Sequence, residues 1–441
     1  MDVTEIKKNK LKTILRFSIP SIIAMLLETV ITITDGYFTG NYVGENALAA
    51  INLGLPILYF YLGTGLCVGV GGTVICGKLL GAKNQRKASE VFTQTMVTAG
   101  IICAVTSLGV LLLFSPILKV LGAEDELSVS FTQYYRIMLV CYPLMVIGTV
   151  LGMFIRIDGK PHVCMLVSIA SCILNACLDS LMVGRFALGV EGSAIASLAV
   201  QAIAVLVQAA YFLGKFRSIR FRHYRLDRVV VRETILNGSS EFIGEMASAI
   251  SMFAFNYVLM KYVGAAGIAA FTILGFAVYG YSMIAIGFGQ GLTTLVSICW
   301  GAKEWAAAIH LREITNQILF GIGALFAGFF LVLGKRYAGL FGCSNGVADM
   351  VSTGFRFYAV TFLIMGYDVT NSMYFTSCGD ALNSAVISAL RGIVLLLAFI
   401  FLFPAIWGMA GVWMAAPAAE ALTAIVSFFL LRKQKEKIES R

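Results

Sequence analysis

Twelve stretches of this sequence stay apolar for about 20 residues or more, the length a helix rising 1.5 Å per residue needs to cross roughly 30 Å of hydrocarbon. They fall at 14–37, 47–77, 91–115, 128–155, 162–183, 190–214, 233–260, 265–299, 307–334, 350–377, 383–406 and 409–431. The strict alternation of a lipid-facing β-barrel is absent, and without it only helices satisfy their own backbone inside a bilayer. Hydrophobic residues make up 59% of the 441 and charged residues only 13%, where a soluble domain carries about a quarter charged. The chain is therefore read as an all-α integral membrane protein with twelve transmembrane helices.

The net charge of +9 would suit nucleic acid if it lay on one face, but the Lys and Arg sit in short clusters between apolar runs. KKNKLK, GAKNQRK, RIDGKPH, KFRSIRFRHYRLDR, GAKEW and LRKQKEK all fall on one side of the membrane, while GAEDELS and SNGVAD fall on the other. The positive-inside rule then puts both termini and the long basic loop in the cytoplasm of a multi-pass plasma-membrane protein, with no nucleic-acid partner. No cleavable signal is read: the first apolar run follows a basic stretch, contains Pro20 and lacks a small-residue cleavage site. The ten cysteines form no CxxC, and the three histidines (His162, His223, His310) form no HExxH. A metalloenzyme is disfavoured on that count. No GxxxxGK[ST] appears, so no nucleotide cofactor is implied and energy has to come from an ion gradient.

Sliding the chain against itself by 220 residues exposes a duplication. YVGENALAAINL (42–53) lies on YVGAAGIAAFTI (262–273), and GVGGT…GAK (69–83) lies on GQGLT…GAK (289–303). Gly159 falls on Gly379, and with one residue of slip GVEGSAIAS (189–197) meets GMAGVWMAA (408–416). The expected architecture is two pseudo-symmetric six-helix bundles, 1–214 and 233–441, joined by a basic cytoplasmic linker, 215–232. An even number of crossings separates equivalent points, so the repeats are parallel, as in transporters whose halves rock about a central cavity.

An ionisable side chain at the bilayer centre costs about 2.5–3.5 kcal/mol and needs a partner, water or a task. Counting along the helices puts Asp35 of the first run and Asp179 of the fifth in the outer half, with Asn175 one turn from Asp179 on the same face and Ser197 of the sixth run at a similar level. Two carboxylates, an amide and a hydroxyl are hard oxygen ligands suited to Na⁺ or to a shared proton. The plainer reading is a buried polar network that pins helices together. Glu28, two turns before Asp35, is either a relay or substrate contact in the same cavity or an ordinary hydrogen-bonded helix contact. In the second half Glu241, Glu245, Asp368 and Arg391 reach similar depths. They form either a further substrate or relay set or a packing ion pair from Arg391 to Glu241 or Glu245, and Asp368 is also within its expected reach.

Pro20 fifteen residues before Asp35, then YVGENALAA, a glycine-rich second run ending GKLLGAK, RIDGKP and NACLD come in an order and spacing that resembles the multidrug and toxic compound extrusion (MATE) transporters over essentially the whole chain. The resemblance implies a cation-binding cluster in the N-terminal lobe at Asp35, Asn175 and Asp179, with Ser197 where a threonine is common. Carboxylates on helices 7 and 10 of some branches correspond only loosely to this chain. The implied function is secondary active export of cationic amphiphilic compounds by antiport with Na⁺ or H⁺, by a monomer without cofactor and without enzymatic activity. A related lipid-linked oligosaccharide flippase would need several deep Arg or Lys for pyrophosphate, and by depth counting only Arg391 qualifies. A membrane enzyme or receptor would need a His, Ser or Cys constellation that the sequence does not present.

Overall fold

The computed structural model describes residues 3–121, 125–214 and 217–440. Gly122, Ala123 and Glu124 of the acidic loop, and Lys215 and Phe216 of the basic linker, lie outside the described residues. The twelve membrane-length helices are α1 (Lys10–Tyr42), α2 (Leu55–Gly81), α3 (Gln85–Leu112), α4 (Asp125–Ile157), α5 (Pro161–Arg185), α6 (Gly189–Phe212), α7 (Arg228–Tyr262), α8 (Ala265–Gly301), α9 (Trp305–Gly339), α10 (Asn345–Cys378), α11 (Ala381–Trp407) and α12 (Met409–Glu439). No strand occurs among the described residues. The second apolar run is two helices instead of one, because the chain turns at Gly54 between Glu45–Leu53 and Leu55–Gly81. Pro56 lacks the N–H that a continuous helix would use there, and as an early residue of α2 it leaves no intrahelical bond unmade.

The duplication is written into the turns. Gly44 and Gly264 are both left-handed, at φ 117° and 79°, and each receives its preceding helix through the same bond, Gly44 N–H to Thr39 O and Gly264 N–H to Leu259 O. The two GAK turns agree more closely: Lys83 and Lys303 both sit at φ 60°, and the residues after them bond back to Leu79 and Cys299 at 2.8 and 2.9 Å. That is a Schellman cap, normally built with glycine at the left-handed position. Gly159 and Gly379 repeat it a third time at φ 87° and 77°. Gly189 and Gly408, at φ 62° and 56°, carry the one-residue slip seen in the sequence. Between these last two pairs each half contains a π-helical segment, 180–185 in α5 and 390–394 in α11, at positions that do not correspond.

The chain divides into two compact units, Ile19–Phe242 and Asp2–Ser18 with Ile243–Arg441. The division runs through α1 beside Pro20 and through α7 beside Gly244, so the leading part of α7 belongs to the first unit and the leading part of α1 to the second. Each unit holds its borrowed segment in the same manner. In the first, a Cβ on Gly71 of α2 would collide with the Thr234 carbonyl of α7. In the second, a Cβ on Gly291 of α8, the equivalent position, would stand 2.6 Å from the Ser18 hydroxyl of α1. The glycine-rich second helices are thus grooves for close helix contact, and α2 and α8 carry many of the buried residues of their units.

Candidate functional site

In the first unit, α5 places Asn175 and Asp179 one turn apart, 1% and 0% exposed, immediately before the π-helical segment Ser180–Arg185. A π turn carries an extra residue and loosens the backbone ladder, and such segments often mark functional positions. Asp35 projects from α1 toward them. Asn175 Nδ2 donates to Asp35 Oδ1 at 3.0 Å, and Ser197 Oγ of α6 donates to Asp35 Oδ2 at 3.3 Å. The Asp179 carboxyl faces the Asp35 carboxyl directly. The structure therefore brings together all four residues that the sequence grouped here. Tyr134 of α4, 6% exposed, lies within electrostatic reach of both aspartates. It was missed, and a tyrosine near a helix end gives the sequence no signal that it adjoins two acids.

The donors run short. Asp35 uses both oxygens, but among the described residues neither oxygen of Asp179 nor Oδ1 of Asn175 has a hydrogen-bond donor. A buried carboxylate without donors is expensive, and two facing carboxylates repel. One shared proton, or a small cation taking these free oxygens as ligands, would balance the arrangement. Na⁺ fits the donor set in kind, since all of these groups are hard oxygens.

Glu28 stands on α1 two turns from Asp35, on an exposed position, and Arg156 near the end of α4 lies within electrostatic reach of it. Arg156 is itself 8% exposed, and its Nε has no partner.

The second unit holds a different cluster. Asp368 of α10 is 0% exposed and neither of its oxygens has a donor. Arg391, in the π-helical segment of α11, donates from Nη2 to Glu420 Oε1 of α12 at 2.8 Å. Glu420 and Arg391 are also the charges that act on Asp368, so the three groups form one network. The segment carrying Arg391 packs on α7: Ser251 Oγ donates to the Gly392 carbonyl at 2.8 Å, and Ala247 abuts Gly392. Glu245 and Glu241 are half-buried on α7, each engaged in an interaction of its own. Glu241 belongs to the first unit, near Cys67 of α2. Glu420 was missed by sequence reasoning although its signal was present: it is the one acid in the apolar run 409–431 and shares a buried face with Trp413 and Ser427 at heptad spacing.

A twelve-helix membrane fold built from a duplicated six-helix unit, with ionisable groups buried between helices, defines a secondary-transporter architecture. The MatE family model matches residues 20–181 and again 242–403, and the chain belongs to that family, the MATE transporters. The two matched segments are displaced by nearly the interval that the internal repeat shows. The multidrug export protein MepA of Staphylococcus aureus (strain NCTC 8325 / PS 47) is 24% identical over 97% of this chain and 94% of its own length. MepA of Staphylococcus saprophyticus is 24% identical over 97% and 95%. A solved outward-facing multidrug resistance MATE transporter superposes with a TM-score of 0.92 at 22% identity, covering 98% of this chain and 97% of its own. A transporter of the MOP superfamily from Pyrococcus furiosus, in which reverse polarity of the binding pocket suggests a different function, superposes with a TM-score of 0.90 at 22% identity over 97% of this chain and 96% of its own. A shared fold does not fix function, which lives in the residues of the site.

Proposed function

We propose that this protein is a secondary active exporter of amphiphilic organic cations, driven by inward Na⁺ or H⁺ through the Asp35–Asp179 pair. The observation that carries the reading is the donor deficit of that pair: two facing carboxyl groups with free buried oxygens, in a unit that supplies only neutral donors to them. An ion that binds one packing of α1 and α5 more tightly than another can drive the switch between them by that difference. The acidic groups Asp35, Asp179 and Glu28 favour a cationic cargo. The export activity of the MepA relatives supports the same reading. The protein would act as a monomer in the plasma membrane by alternating access, with both termini and the basic linker in the cytoplasm.

The flippase alternative is weakened at the residue on which it depended. Arg391 is held by Glu420 at 2.8 Å, which removes it as a free pyrophosphate ligand.

The test is efflux of a cationic dye from proteoliposomes under an imposed Na⁺ gradient, an imposed pH gradient, or neither. Extrusion that appears under one gradient and vanishes without it supports the proposal. Equal extrusion under all three conditions overturns it.

A further inference from the structure

Away from both charged clusters, the second unit contains a cavity of about 390 Å³ between the start of α9, the end of α10 and the end of α12. Arg312, Arg432 and Lys435 line it together with Tyr367 and Tyr374, against an apolar wall that includes Ile309, Phe428 and Leu431. All three helix ends lie at the end of the bundle where the basic loops fall. The coupling reading uses none of these residues.

Arg312 is the built part of the site. Its side chain is 14% exposed, its guanidinium stands over the Tyr374 ring at 5.2 Å, and its Nε has no partner. Among the described residues its ion-pair partner is the exposed Glu313 at 3.5 Å, a long approach at the limit of hydrogen bonding. Tyr374 is fully buried, and the Cys378 thiol lies near its hydroxyl. This cation–π contact with Tyr374 holds the guanidinium and leaves its Nε–H for an oxyanion such as a phosphate. Arg432 and Lys435 add charge at the mouth. Their carboxylate neighbours Glu436 and Glu439 sit at 3.3 and 3.9 Å and are about two-thirds exposed. Such exposed i,i+4 pairs are weak and yield readily to a stronger anion.

The wall decides between a soluble anion and an amphiphile. Phe428 lines the cavity and is also 55% exposed, continuous with exposed Ile425 and Phe429 on α12. In a bilayer that surface meets acyl chains, so the cavity opens from a phosphate-sized basic end onto the lipid-facing side of the helix. We infer that this cavity binds an anionic phospholipid, its headgroup phosphate on Arg312, Arg432 and Lys435 and one acyl chain along Phe428. Basic pockets between membrane helices at the cytoplasmic boundary have this chemistry.

The test uses the full-length protein, delipidated in detergent and titrated with phosphatidylglycerol, phosphatidylcholine or inorganic phosphate, with bound molecules counted by native mass spectrometry. Phosphatidylglycerol should saturate at least one site that phosphatidylcholine does not fill. Arg432→Gln with Lys435→Gln, both on an exposed helix end, should weaken that site by roughly tenfold, as loss of charge-assisted contacts does. Arg312→Gln should weaken it further. Equal retention of both lipids by the unaltered protein overturns the inference, and so does an undiminished phosphatidylglycerol site in the double variant. Inorganic phosphate displacing phosphatidylglycerol at comparable concentration would identify a soluble-anion site and also overturns it.

Discussion

Both units bury a pair of facing acids, yet among the described residues only one pair is bonded to a cation of its own. In the second, Asp368 and Glu420 share Arg391, bonded to Glu420 at 2.8 Å. In the first, Asp35 and Asp179 are met only by the neutral donors Asn175 and Ser197. The built-in arginine holds Glu420 in one arrangement and supplies half of the charge that the pair lacks, although the Asp368 oxygens still have no donor. A pair that has to borrow its positive charge exists in two states, with and without it, and only such a pair can couple a gradient to motion. On the proposed coupling, duplication supplied two scaffolds, of which one became a lock and the other a switch.

The largest effect that would break this comparison is expected at Asp35. Asp35→Asn keeps the shape and the contacts to Asn175 and Ser197 but removes one charge of the pair, so ion-driven dye efflux should fall at least about tenfold, since 1.4 kcal/mol of differential ion affinity is already a factor of ten. Dye binding measured without a gradient should change much less. Near wild-type pumping by this variant would move coupling to Glu28 or to the second unit.

Arg391 is the complementary probe. Arg391→Met leaves Asp368 and Glu420 facing each other without a cation, and should lower the stability of the detergent-solubilised protein by about 3–5 kcal/mol. Adding Glu420→Gln to it should recover part of that loss, because a lone buried charge costs more than none. Strictly additive losses in thermal unfolding would show that the three groups are not one network.

The first unit should respond with the opposite sign. Asp179 has no donor on either oxygen, so Asp179→Asn relieves repulsion and gives Asp35 an N–H, and should stabilise the protein by about 1–2 kcal/mol while abolishing coupling. Stability and function then separate at a single atom pair. A destabilised Asp179→Asn variant would mean that the cluster is a structural network after all.

Much of this was legible in the sequence, for reasons that differ from residue to residue. Twelve helices follow from the length of the apolar runs, because lipid admits no other backbone arrangement for them. Asp35, Asn175, Asp179 and Ser197 could be grouped because helical depth and the i, i+4 spacing are fixed by geometry. Glu420 obeyed the same rule as Asp35 and was simply not weighed. Tyr134 could not be found, since an aromatic side chain on α4 carries no mark of what faces it across the bundle. The exchange of the leading parts of α1 and α7 between the two units was equally hidden. Hydropathy locates a span but does not say to which bundle each half of it packs, and the one local clue, Pro20, marks a possible bend without giving its direction.

The smallest predicted effect tests the part of the comparison in which the halves agree. Lys83 and Lys303 occupy the same left-handed turn at φ 60°, a conformation that costs an L-residue roughly 1–2 kcal/mol and glycine almost nothing. Glycine also loses more freedom on folding, which offsets about 0.4–1 kcal/mol of that relief. Lys83→Gly and Lys303→Gly should therefore each stabilise by no more than about 1 kcal/mol, with the same sign and nearly the same size. Neither residue touches a charged cluster, so efflux rates should stay at the wild-type level in both variants. Thermal unfolding of the two single variants and the double reads the result, and the double should equal the sum, because the turns lie in separate units. Unequal or opposite shifts would show that the two halves have diverged in their scaffolding as well as in their charge, and the contrast between lock and switch could no longer be credited to the buried charges alone.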